Sequence, residues 1–376
     1  MTTISLRFAV RLHNSEIKPI HELYGPLFHR WLPNGESDAL AIASTDADIG
    51  VRVWFEQRGY LGFGELIRFD YQRREVDEAL VEKQAILDAG PLRGLLTIKN
   101  IDQEMVTVLQ EDKTGEQEYA TLGKRVIKVL YPILSRLIDT LRVRFGQYWI
   151  EPLEKWDSRR HTLGAYCHGI LHLKYSLDNG DQWREFIPDE PVSYGSVTSI
   201  TPGEKTFSQY LTEDDWLELK DLVNSGYKPS LASNALITTH QLLDSGSYRQ
   251  AFIEGVTALE LALNELVRDR LFHNSALMEK IQSFWNLPLY TQVAIAASLT
   301  QNITPNEIED TLEAIKTRNC IIHEGQQVGE EKKSELRSLL VAIAKLIPGV
   351  QFKLPSAYTG NNIMMTAEQW SQLLQG

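Results

Sequence analysis

The sequence predicts an α+β protein: a mixed α/β N-terminal domain followed by an all-α bundle. Three observations predict it. Near the N-terminus apolar residues alternate with polar ones, as in Ile4, Leu6, Phe8 and Val10, and again in Val51, Val53 and Phe55, which is the period of a half-buried strand. From about residue 229 the apolar positions fall at helical spacing instead. Between the two regimes Asn224-Ser225-Gly226-Tyr227-Lys228-Pro229 gathers turn-forming residues, and marks a domain boundary. The expected organisation is an α+β domain over 1–228, a helical domain over 229–350 and a C-terminal tail over 351–376.

The elements follow in order. Gly59 to Tyr71 reads as a further strand, with glycines at its start. The spacing of Gly59, Gly62 and Gly64 is the reverse of the dinucleotide-binding order and suits a twisted or bulged strand better than a phosphate cradle. Arg74 to Ala89 reads as a helix rich in Glu and Ala, and Leu95-Leu96-Thr97-Ile98 as a short strand. Glu118 to Phe145 is a long amphipathic helix, with Leu122, Val126, Val129, Leu130, Ile133, Leu137 and Leu141 near one face and Pro132 expected to kink or split it. Ile170 to Ser176 is a strand leading into the turn Asp178-Asn179-Gly180-Asp181, with Trp183 to Ile187 as its partner. Residues 188–206 are loop, and a helix opened by a Thr212 cap runs to about Val223.

Composition narrows the function classes. At 376 residues the chain is long enough for two cores. A net charge of −12 removes any global attraction to nucleic acid, so RNA contact requires a local basic site. Cys167 and Cys320 are too few for a secreted disulfide framework, and Cys320 reads as a small core residue. The N-terminus has no signal-peptide pattern, and no apolar run reaches the ~18 residues of a membrane span. A cytoplasmic protein with no membrane contact is expected.

The most informative segment is Arg318-Asn319-Cys320-Ile321-Ile322-His323. It closes a predicted helix that opens at Thr304-Pro305 and stops at Glu324-Gly325, where glycine suits a left-handed cap. Ile308, Leu312, Ile315, Asn319 and Ile322 mark the expected inward stripe, apolar until Asn319 interrupts it. Asn319 and His323 share a face as i, i+4 neighbours. In the preceding helix Glu260 lies among Val256, Leu259, Leu261, Leu263 and Val267. A carboxylate so surrounded is expected to be buried and paired with Arg318 or His323, in the same or an opposing protomer.

This arrangement resembles the R-x4-6-H motif of HEPN domains, in the R-N-x-x-x-H version of the Apea-like group. Ala235-Leu236 and Leu242-Leu243-Asp244-Ser245-Gly246-Ser247-Tyr248-Arg249-Gln250-Ala251 resemble the first helix, the short turn and the start of the second helix of that fold, and Glu254 to Leu263 its small, apolar second helix with an internal Glu. The resemblance covers residues 229–348. It implies a helical bundle, a homodimer through the C-terminal domain, and a metal-independent endoribonuclease needing no cofactor, with RNA as substrate and Arg318, Asn319, His323 and Glu260 as site residues. It also implies a place in antiviral defence or stress response, with residues 1–228 as sensor or regulator. Some relatives are toxins whose motif carries a tyrosine two positions after the histidine. Here that position is Gly325, so the tyrosine-modified toxin mode is not expected. The alternative is a non-catalytic dimerisation or nucleotide/RNA-binding module.

Other residues carry bland readings. His168 and His172 would be zinc ligands at i, i+4 on a helix, joined by His161 and Cys167, but residues 170–175 alternate like a strand and split the pair. No metal site is expected. Tyr148 and Trp149 read as core or domain-interface aromatics, and Glu330-Glu331-Lys332-Lys333 as a solvated helix start.

Overall fold

The computed structural model describes residues 2–12, 25–29, 31–44, 46–61, 86–111, 117–153, 170–177, 182–186, 210–271, 284–300 and 303–347. The fold is α+β. The chain divides into two compact units. One is built from the N-terminal residues to Thr140 and from Ile150–Tyr227; the other comprises Leu141–Trp149 and Lys228–Lys353.

The first unit is organised by one sheet. Its strands are β1 (Thr2–Val10), β2 (Leu27–His29), β3 (Leu40–Ala43), β4 (Ile49–Leu61), β5 (Ile86–Ile101), β6 (Ile170–Leu177), β7 (Arg184–Glu185) and β8 (Tyr210–Leu211). The order is β3-β4-β5-β1-β6-β7, with β2 pairing both β5 and β8. All pairs are antiparallel except β2–β8. Alternation chooses the faces. Ile4, Leu6, Phe8 and Val10 are buried beside Leu92, Leu96, Val51, Val53 and Phe55 on neighbouring strands. The opposite face carries the exposed Arg7, Arg52 and Lys174. Phe8 lies opposite Gly94, and a Cβ at Gly94 would fall inside the Phe8 ring. Glycine there makes room for an aromatic side chain on the next strand.

Helices α1 (Gln103–Gln110), α2 (Gln117–Val143) and α3 (Glu213–Ser225) complete the unit. Tyr175 Oη and Arg184 Nη1 both donate to the Leu109 carbonyl at the end of α1. Trp216 of α3 joins Phe28 and Phe55 in an aromatic cluster and donates Nε1 to the Asp38 carbonyl. Asn224 then closes the free edge of β3: its Oδ1 accepts from Ala43 N–H and its Nδ2 donates to the Ala41 carbonyl. A side-chain amide thus takes the place of a further strand on a vulnerable edge.

One sequence expectation is overturned and a second is narrowed. The helix expected to end at Ala89 does not: Ile86 to Ala89 open β5, pairing with Leu61, Tyr60 and Gln57 of β4 and with Phe28 and His29 of β2. Neighbouring strands on both sides override local helix propensity. Pro132 does not split α2, which runs unbroken. The carbonyl that the proline leaves without a donor belongs to Lys128, an exposed residue where water can serve instead. Strand β4 includes Gly59 and ends at Leu61; the rest of the expected strand to Tyr71 and residues 74–85 lie outside the described residues. So do the loop at 188–206, the turn at 178–181 and His161, Cys167 and His168; His172 lies in β6, not in a helix.

The second unit is helical throughout its described residues. Its elements are α4 (Leu231–Asp244), α5 (Tyr248–Leu271), α6 (Leu289–Thr300), α7 (Pro305–His323) and α8 (Lys333–Leu346). The core gathers Leu236, Phe252, Val256, Leu259, Leu263, Ala314, Ile321, Leu336, Leu339 and Ile343. Ser230 caps α4 and Glu265 of α5 accepts from the Ala232 amide, so the start of α4 is held by the neighbouring helix. The segment Leu141–Trp149 belongs to this unit, with Tyr148 stacked on His240 of α4 and Val143, Tyr148 and Ile237 forming a small buried cluster.

Candidate functional site

Helix α7 carries the candidate site at its C-terminal end. Thr304 and Glu307 form a reciprocal capping box with Pro305 at the first turn. At the other end Gly325 adopts φ +70°, and the Gln326 amide returns to the Cys320 carbonyl. These signals fix where the helix stops, and therefore that Arg318, Asn319 and His323 occupy its last turns.

The roll of the helix differs from the expected one. The buried residues of α7 are Thr311, Ala314, Ile315, Thr317 and Ile321. Asn319 faces solvent, and Ile322 is 44% exposed. Of the expected stripe, Ile315 is buried and Leu312 packs against the core, but Asn319 and Ile322 face outward; the buried face is centred instead on Thr311, Ala314, Thr317 and Ile321, with half-buried Arg318 in line. Arg318 Nη1 donates to Asn319 Oδ1 at 3.1 Å, while Arg318 Nε is shut off from solvent without a hydrogen-bond partner. His323 is exposed one turn beyond Asn319. Cys320 is half-buried, beside Ile321 at full burial.

Glu260 does not occupy the buried position expected of it. It is exposed, and among the described residues no ion pair joins it to Arg318 or His323. Val256, Leu263 and Val267 are buried as expected, but they lie to one side of Glu260 by roughly 20–60° around the helix. On its other side are Thr257, half-buried Asn264 and exposed Arg268, and Asn264 Nδ2 donates to the Glu260 carbonyl. A single protomer thus brings together Arg318 and Asn319, with His323 on the same helix end, and leaves Glu260 on the outer face of α5.

Sequence reasoning missed the polar residues behind α7. Thr317 is 4% exposed and donates its hydroxyl to Glu335 Oε1 at 2.7 Å. Lys332 Nζ lies 2.6 Å from the other oxygen of the same carboxylate. Glu335 and its charge hold the Lys332 ammonium above its usual range, against a smaller effect of burial. At the opposite end of the helix Lys345 Nζ reaches both oxygens of Glu307, at 2.6 and 2.8 Å. The run Glu330–Lys333 reads as a solvated start and largely is one, with Glu330 and Glu331 exposed, but Lys332 turns back to the helix pair. Lys332 and Glu335 are i, i+3 neighbours, but no local pattern announces the Thr317–Glu335 and Glu307–Lys345 contacts, whose partners lie in different helices.

Among the described residues no group of three or more His, Cys, Asp or Glu side chains is placed to hold a metal, and no helix is long and apolar enough to cross a membrane. Set against models of protein families, curated proteins and solved structures, the chain matches none.

Proposed function

We propose that this protein is a metal-independent endoribonuclease of HEPN type that works as a homodimer through its helical unit. The observation that supports the reading is the composition of one helix end: an arginine with an unpartnered, buried Nε, an amide on its Nη1, and an exposed histidine a turn away. Exposed Ile322 lies between Asn319 and His323, an apolar side chain on the same outward face, which suits contact with a second copy of the chain.

The chemistry needs few groups because RNA brings its own nucleophile. The 2′-oxygen attacks the adjacent phosphorus, the 5′-oxygen leaves, and the products are a 2′,3′-cyclic phosphate and a 5′-hydroxyl. His323 of one protomer takes the proton from the 2′-hydroxyl, and the copy in the other protomer protonates the leaving oxygen. Arg318 binds the phosphate and stabilises the charge that gathers on its oxygens. Asn319 orients the guanidinium. Glu260, exposed on α5, would act only on the site of an opposing protomer.

The experiment is incubation of the full chain with mixed RNA in excess EDTA, with end-group analysis and light scattering of the protein. Cleavage to cyclic-phosphate ends by a dimer supports the reading. A monomer that cleaves, or cleavage that stops in EDTA, removes it. The net charge of −12 favours a second reading, a non-catalytic binding or dimerisation module, which predicts nucleotide or RNA binding with no cleavage under any condition.

A further inference from the structure

The C-terminal half of α7 is seated with the polar Thr317 buried and the apolar Ile322 exposed. The path through Ile308, Leu312, Ile315 and Ile322 is broken only by Asn319. The buried face carries Thr311, Ala314, Ile315, Thr317 and Ile321, with half-buried Arg318 beside them and Leu312 packed against the core. A helix seated by hydrophobic burial alone turns its most apolar stripe inward. Burial of Ile315 and Ile321 seats the helix, and a further interaction must keep Thr317 inside and Ile322 outside.

Two contacts with α8 do so. At the start of α7 the pair Glu307–Lys345 ties the helices together. Near its end Thr317 donates to Glu335, whose side chain is only 11% exposed and which also receives Lys332. Rolling α7 to bury Ile322 would carry Thr317 toward solvent and take one donor from the largely buried Glu335 carboxylate, which would keep Lys332. Loss of that charge-assisted hydrogen bond opposes the gain from burying one partly exposed apolar side chain.

We infer that Glu335 is a positioning residue for the candidate site. Through Thr317 it holds the roll of α7 that turns Arg318 inward and presents Asn319 and His323 to solvent. The roll stands on the packing alone; its importance for catalysis rests on the endoribonuclease reading.

The test is the rate at which diethyl pyrocarbonate modifies His323, followed by peptide mass spectrometry on the full chain. It compares the wild type with Thr317→Val, Glu335→Leu and Glu335→Gln at one protein concentration. Thr317→Val and Glu335→Leu are expected to slow modification of His323 on the order of fivefold, through local rearrangement and not global unfolding. Glu335→Gln keeps an oxygen that accepts from Thr317, and is expected to retain the wild-type rate. Where RNA is cleaved, the two damaging variants should lose kcat with KM little changed, and Glu335→Gln should recover it. Protection of His323 with no RNA cleavage by any form supports the roll and removes the enzyme reading. Folded Thr317→Val protein whose His323 reacts at the wild-type rate overturns the inference. If Glu335→Leu does not fold, Thr317→Val, which removes a single hydroxyl, still separates the two outcomes.

Discussion

The imidazole of His240 lies flat against the phenol of Tyr148, with ring centres 4.1 Å apart and planes 16° from parallel. Gln241 Nε2 points at the Tyr148 carbonyl at 3.4 Å. The residue keeps some surface in water, but its Nε2 has none. Burial, reinforced by the nearby charge of Arg337, pushes the His240 pKa down from 6.5 to about 3. Burial likewise raises the Tyr148 phenol above its usual range.

A pH dependence follows with a definite sign. A base whose pKa is lower folded than unfolded binds more protons in the unfolded state, so its contribution is complete above about pH 6.5 and is lost as the pH falls toward the folded value. The slope is about 1.4 kcal/mol per pH unit in that window. His240→Phe keeps a ring against Tyr148 and removes the titration. Denaturant unfolding at pH 7 and pH 5 is expected to show the wild type losing about 2 kcal/mol more than His240→Phe. Equal losses would show that His240 is not held neutral by its surroundings.

The pair Glu307–Lys345 joins the start of α7 to the end of α8 with both side chains partly exposed. Burial raises the Glu307 carboxyl, but the hydrogen bond and charge of Lys345 with the Thr304 amide outweigh it and hold it below its usual range. Lys345→Met is expected to destabilise the protein by roughly 1 kcal/mol near pH 7, the exposure of the pair reducing the effect. The difference should shrink as the pH falls below the ordinary carboxylate range, because a depressed acid gives up its contribution on protonation. Thermal unfolding at pH 7 and pH 3.5 checks both the size and the direction.

Much of the fold is legible in the sequence because its causes are local. Alternation in β1 predicts the buried Ile4, Leu6, Phe8 and Val10, and the caps at Thr212, Thr304 and Gly325 mark where helices begin and end. The failures have non-local causes. Ile86–Ala89 follow a stretch rich in helix formers, and their strand state comes from pairing with two other strands. The roll of α7 escapes the sequence because an apolar count gives no weight to Thr317 and Glu335, which meet only after two helices pack. The exposure of Glu260 escapes it for a geometric reason: its apolar neighbours in sequence lie beside it around the helix and not beneath it. The association of Leu141–Trp149 with the helical unit has no signal except the aromatic pair Tyr148-Trp149.

Gly94 offers a direct test of the sheet. Its missing side chain is the space filled by the Phe8 ring from β1. Gly94→Ala is expected to cost about 1–3 kcal/mol through overpacking of a core that cannot open. Adding Phe8→Leu to Gly94→Ala should recover part of that loss, since the two sites are in contact and their effects do not add. Simple additivity in the double-mutant cycle would contradict this contact.

In the proposed function Arg318 and His323 cleave RNA through the 2′-hydroxyl. The most direct measurement is single-turnover cleavage of one defined RNA, in EDTA, by the wild type, Arg318→Ala and His323→Ala, beside the same RNA with a 2′-deoxy residue at the scissile position. The expected result is cleavage by the wild type alone, with each alanine variant folded but slower by about a hundredfold to ten-thousandfold and the deoxy substrate intact. Cleavage of the deoxy substrate at the normal rate, or full activity in His323→Ala, would rule out this chemistry.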